Sequence, residues 1–143
     1  MRILTVCLGN ICRSPYAAAV LDARSGAGVE VRSAGLVGKW AGRPAHPLMV
    51  EAAEASGYDL THHRAVQVSA ELLRWADAIL ALDSAVQGRL RVHGGLIGAT
   101  AKITLYLGDA DVRDPYGGDR AAFAECALTI EAAAHRHLPY AAG

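Results

Sequence analysis

Ile3-Leu4-Thr5-Val6-Cys7-Leu8-Gly9-Asn10-Ile11-Cys12-Arg13-Ser14-Pro15 opens as an apolar, partly β-branched run and closes on residues that begin helices. Its first four residues predict a strand. Ser14 offers a side-chain helix cap, and Pro15 suits the first helical position, where no N–H is needed. The stretch therefore carries a strand into a helix through a loop that holds a thiol, a glycine and a guanidinium. In open α/β sheets ligands bind beyond the carboxyl ends of the strands, and the N–H groups of a tight loop entering a helix converge on an anion.

Outward from this junction the same alternation continues. Glu30-Val31-Arg32-Ser33, Ala78-Ile79-Leu80-Ala81-Leu82 and Lys102-Ile103-Thr104-Leu105 read as further strands. Pro15 to Arg24, Pro47 to Ser56, Ala70 to Trp75, Ser84 to Val92 and Asp119 to His137 read as helices, with few breakers and many alanines. The expectation is α/β: an open, doubly wound parallel sheet of about four strands, helices on both faces and a phosphate-binding loop after the first strand. In the last helix Phe123, Ala127, Ile130 and Ala134 share one face, Asp119 stands as N-cap, and His135 and His137 read as surface residues at the negative end of the dipole. Gly57 follows Ser56 as a helix-ending glycine, and Gly94-Gly95 with Gly98 reads as a flexible connection. With no repeat, low-complexity tract or linker, residues 1–143 read as one domain.

The chain balances 14 Lys+Arg against 14 Asp+Glu, and 52% of its residues are hydrophobic. Zero net charge argues against a general nucleic-acid or anionic-membrane binder, and a chain of this size buries roughly two-thirds of its unfolded surface without needing staples. Ile3 to Leu8 is too short and the residues after it too polar for a membrane span or signal peptide, which predicts a cytoplasmic protein. Three cysteines suit a reducing compartment. Cys7 and Cys12 lack the second ligand pair of a zinc site, and the adjacent His62-His63 does not supply one.

Each loop residue has a physical task. Gly9 lets backbone amides turn inward, and Arg13 offers a planar fork that matches two phosphate oxygens. Over N–H dipoles, a helix N-terminus and a guanidinium, Cys7 is favoured as thiolate and becomes the nucleophile. The Ser14 hydroxyl is placed to hydrogen-bond the sulfur. Asn10 is expected to hold the loop in its turn. Taken singly, Cys7 is an ordinary buried thiol and Arg13 a solvated helix-start residue; their spacing at a strand-to-helix junction makes the case.

Val6 through Pro15 matches V-C-x-G-N-x-C-R-S-P, and on this motif the chain resembles the low-molecular-weight protein tyrosine phosphatases. The resemblance extends to Ser33-Ala34-Gly35, Trp40 with Gly42, His63-Arg64-Ala65-Val66-Gln67, Ala81-Leu82-Asp83 and Asp114-Pro115-Tyr116. It implies Cys7 as the residue that forms a phosphocysteine, Arg13 as the phosphoryl binder and Asp114 as general acid. It further implies phosphate or substrate contacts from Leu8, Gly9, Asn10, Ile11, Cys12, Ser14, Trp40 and Tyr116, and support for Asn10 from Ser33 and His63. A dianionic monoester needs its equatorial oxygens stabilised and its leaving oxygen protonated, which these residue types do. Asp114-Pro115-Tyr116-Gly117-Gly118 also reads simply as a turn.

Departures gather at the cleft rim: an extra residue between Ser33 and Trp40, His46-Pro47-Leu48 for the customary D-P-R, Val66 within the usual A-R-Q, and Gly117 where a second aromatic is frequent. Cys12, five residues after Cys7, is a candidate redox partner, since a tightly curled loop brings two β-carbons near. The expected partner is a phosphotyrosine-containing protein, with no metal, cofactor, nucleic acid or membrane, and with the oligomeric state left between monomer and weak dimer. Alternatives are a protein arginine phosphatase, tied to the position of Ile11, and an arsenate reductase, which needs relay cysteines where only Cys126 is found. From another class, the chain reads as a non-catalytic phosphoprotein-binding module.

Overall fold

The computed structural model describes residues 1–138, and the end of the expected 1–143 domain, 139–143, lies outside them. β1 (Arg2–Cys7), β2 (Glu30–Gly35), β3 (Ala78–Ala81) and β4 (Ile103–Leu105) form a wholly parallel sheet in the order β2-β1-β3-β4. Between and after them run α1 (Arg13–Arg24), α2 (Pro47–Ala55), α3 (Ala70–Trp75), α4 (Ser84–Gly95) and α5 (Arg120–Ala133).

β1 is buried on both sides, and its alternate side chains enter two separate cores. Ile3 and Cys7 join Tyr16, Val20 and Leu21 of α1, Met49 of α2, and Phe123 and Ile130 of α5. Leu4 and Val6 join Leu73 of α3 and Val86 and Leu90 of α4. Thr5, fully buried, donates its hydroxyl to the Ser14 carbonyl at 2.9 Å, so the polar position in the strand is satisfied. The chain leaves β1 for β2 on one side and later returns to β3 on the other. This reversal opens a crevice at the carboxyl end of β1, where the loop Leu8–Cys12 sits.

Strand and helix order are as the sequence predicts, with three local corrections. α1 begins at Arg13, so Cys12 is in the cap position, Ser14 is not the cap, and Pro15 is the third helical residue. The Ser14 hydroxyl is engaged by the loop, and proline is tolerated anywhere in the first turn because those N–H groups have no intrahelical acceptor. Gly94 and Gly95 form the last turn of α4; a β-carbon at Gly94 would lie 2.9 Å from the Ile103 side chain, so glycine lets helix and strand close together. The turn itself falls on Gly98, at φ +73°. Asp119 caps Ala122 N–H at 3.0 Å as expected. α5 gives way at Ala134 to a tighter turn, in which His137 is half-buried and donates from Nε2 to the Tyr106 carbonyl at 2.7 Å, whereas His135 is exposed.

Candidate active site

The loop after β1 curls around the Cys7 sulfur. Asn10 N–H donates to Cys7 Sγ at 3.3 Å, and the Ser14 hydroxyl lies 3.0 Å from the same atom. Asn10 makes the curl possible: it takes φ +60°, a left-handed conformation that asparagine tolerates better than most residues. Its fully buried amide holds that geometry from three sides. Nδ2 donates to Ser14 Oγ and Ser33 Oγ, each at 2.9 Å, and Oδ1 accepts from Val66 N–H at 2.9 Å. His63 donates from Nε2 to the Asn10 carbonyl at 2.6 Å. Ser33 and His63 thus both bond Asn10, while the side chains of Asn10 and Ser14 lie behind the loop and not in the cleft lining. Gly35 is required beside them, since a β-carbon there would sit 2.8 Å from the Gly9 backbone.

Arg13 is almost wholly buried at 2% exposure and is fixed along one edge. Nη1 donates to Asp83 Oδ2 and to the Val112 carbonyl, both at 2.8 Å. Nε has no partner among the described residues, and Nη2 has only Asp114 Oδ2 at 3.6 Å. The Nε–Nη2 edge is thus the one presented for two anion oxygens. Asp114 comes from the segment after β4, and its Oδ1 accepts from Tyr116 N–H at 3.0 Å. The turn of Asp114-Pro115-Tyr116 is as the sequence reads it, and its bond to Oδ1 leaves Oδ2 on the side of Arg13.

Cys7, Leu8, Gly9, Ile11, Cys12, Arg13, Trp40, Asp114 and Tyr116 line a narrow cleft of about 50 Å³. The Trp40 indole lies against Gly9, where any β-carbon would overlap it, and its ring centroid is 5.7 Å from that of Tyr116. A larger cavity of about 370 Å³ lies between the Asp114 segment and α5. It shares Asp114 and Tyr116 but contains neither Cys7 nor Arg13, so the reactive groups meet in the smaller space.

Two residues had no assigned task in the sequence. Asp83, besides holding Arg13, caps α4 by accepting from Val86 N–H at 2.8 Å; an aspartate between a strand and a helix was the available signal. His46 caps α2 through Nδ1, which accepts from Leu48 N–H at 3.1 Å. Burial lowers the pKa of His46, and burial also lowers that of His63 against the opposing pull of its bond to Asn10. The three cysteines are free and buried. Burial pushes the Cys126 thiol up to about 12 and raises that of Cys12 as well, with Cys7 adding to the latter shift. Among the described residues no group of three His, Cys, Asp or Glu gathers as a metal site, and no helix is long and apolar enough to cross a membrane.

Comparison with known proteins meets the same pattern. The chain is 38% identical to the probable low molecular weight protein-tyrosine-phosphatase EpsP of Ralstonia nicotianae, over 96% of this chain and 93% of that protein. It is 35% identical to the protein-arginine-phosphatase of Geobacillus stearothermophilus, over 82% and 80% of the two chains. Among solved structures, Vibrio vulnificus Wzb in complex with benzylphosphonate superposes with a TM-score of 0.88 at 30% identity, covering 94% of each chain. The model of the family described as low molecular weight phosphotyrosine protein phosphatase matches residues 2–141, and the chain, with its strand-end thiol, half-anchored arginine and cleft-facing carboxylate, belongs to that family.

Proposed function

We propose that this phosphatase acts on phosphotyrosine in protein substrates, and on small aryl phosphates, by two-step transfer through Cys7. The thiolate attacks phosphorus in line, forming the S–P bond as the P–O bond to the phenol breaks, and Asp114 Oδ2 gives its proton to the departing oxygen. The loop amides and the Nε–Nη2 edge of Arg13 hold the equatorial oxygens throughout. Water then attacks the phosphocysteine, Asp114 takes its proton, and the bond to sulfur breaks to release phosphate and thiolate. Ser14 Oγ, beside the sulfur, supports that departure. The observation that carries this reading is the meeting of Cys7, the open edge of Arg13 and Asp114 Oδ2 in a cleft walled by two aromatic rings.

Tyrosine is favoured over arginine as the phosphorylated residue because Ile11 lines the cleft as an apolar surface and offers a guanidinium no polar partner. An arsenate relay is disfavoured because Cys126 is buried in α5. The decisive experiment measures metal-free turnover of phosphotyrosine, phosphoarginine and an aryl phosphate, with vanadate as competitor. Phosphotyrosine is expected to be preferred, and Cys7→Ser to abolish turnover while still binding vanadate. Turnover of Cys7→Ser within about tenfold of wild type, where losing an activated nucleophile should cost far more, would overturn the mechanism. Preference for phosphoarginine would overturn the substrate, and vanadate binding without turnover by wild type would leave a binding module.

The same reading gives Cys12 a protective task in a reducing, cytoplasmic setting. Peroxide oxidises Cys7 to a sulfenic acid, and the Cys12 thiol condenses with it to a disulfide with loss of water. After peroxide treatment, dithiol reductant should restore activity to wild type and not to Cys12→Ser; equal recovery in both would make Cys12 structural only.

A further inference from the structure

His46 stands where three parts of the site meet. Its backbone N–H donates to the Ile11 carbonyl at 2.8 Å, tying it to the cleft floor, and its Nδ1 accepts from Leu48 N–H, tying it to α2. Its ring lies against the buried Phe123 of α5 at a centroid distance of 4.6 Å and 30° between planes. It also meets Tyr116 edge to face, at 5.9 Å and 86°. Tyr116 is 54% exposed, and its ring lies between His46 and Trp40. A half-exposed side chain keeps one place only if neighbours hold it, and edge-to-face aromatic pairs do so with defined geometry.

We propose that His46 is a positioning residue for aromatic substrates: its imidazole, backed by Phe123, holds Tyr116 against Trp40 so that the two rings present one aromatic wall to the leaving group. The inference rests on the functional reading above, in which a phenol leaves from a cleft walled by those rings. Nδ1 acts as an acceptor, so the ring proton of the neutral form is on Nε2, and burial favours that neutral form. A residue serving only as helix cap would need no ring; a residue serving only as a core filler would need no acceptor. His46 supplies both, which gives two separable variants.

His46→Asn retains a side-chain acceptor for Leu48 N–H and removes the ring, whereas His46→Phe retains a ring and removes the acceptor. The readout is the ratio of kcat/KM for phosphotyrosine to that for acetyl phosphate, whose leaving group has no ring to stack. His46→Asn should lower this ratio about tenfold, chiefly through KM for phosphotyrosine, while His46→Phe should keep it and instead lower Tm. An unchanged ratio in His46→Asn, or an equal fall in both variants, overturns the proposal. A second measurement does not depend on turnover: acrylamide quenching of Trp40 fluorescence in a Trp75→Phe background. Quenching should increase with His46→Asn as Tyr116 moves away from the indole, and an unchanged quenching constant overturns the proposal. Should wild type hydrolyse neither phosphate, the functional reading fails and the quenching result alone decides whether His46 positions Tyr116.

Discussion

Asp114 divides its two oxygens between the turn and the cleft. Oδ1 is taken by the Tyr116 amide, so only Oδ2 is placed to carry a proton to a leaving group. Asp114→Asn keeps an oxygen for the turn and abolishes the acid. The loss in kcat/KM should reach about 10²-fold or more for phosphotyrosine, whose phenolate needs protonation, and stay below about tenfold for an aryl phosphate with an activated leaving group. Steady-state kinetics on the two substrates provide the check, and equal losses would remove Asp114 from the acid role. Arg13 shows a similar division, with Nη1 bound to protein and Nε left without a protein partner among the described residues.

The segments that hold these side chains differ in how plainly their sequences announce them. β1, α3 and the cap at Asp119 were legible because a β-branched run, a stretch free of helix breakers and capping chemistry are local signals. The start of α1 was not, because the sequence offers the Ser14 hydroxyl both as helix cap and as partner of the sulfur, and only the fold shows that Cys7 and Asn10 take it. Gly94 misled for a related reason: the absence of a side chain there serves packing against Ile103, not a bend. Within the site, Cys7, Arg13 and Asp114 could be named from motifs, but the anchoring of Arg13 by Asp83 spans 70 residues of sequence and needed the fold. Asp83 joins the end of β3 to α4 and to the buried guanidinium, so Asp83→Ala removes both a cap and the partner of a buried charge. Roughly 3 kcal/mol of stability should be lost, together with vanadate affinity. Denaturant melts and vanadate titration test this, and a variant with wild-type stability and affinity would show that Arg13 is oriented by Val112 alone.

Across the molecule, His46, His63 and His137 share one electrostatic condition: burial lowers the pKa of each below the ordinary histidine value. The unfolded chain therefore binds protons in a range where the folded chain does not. Their contribution to stability is fully present above about pH 6.5 and is lost as pH falls below that unfolded value towards the folded ones. Urea melts at pH 7.5 and pH 5 should show the lower stability at pH 5; equal or greater stability there would contradict the assignment of these histidines as half-buried and neutral. The parallel sheet has a consequence of another kind. Cys7 ends β1, Arg13 begins α1 and Asp83 follows β3, so the reactive groups share the framework's own constraints. Trp40, His46 and Tyr116 lie between regular elements and bear no strand pairing. Selection can therefore exchange the rim while inheriting the catalyst intact, and a lineage built on this sheet acquires new phosphorylated targets by loop drift, without reinventing phosphoryl transfer.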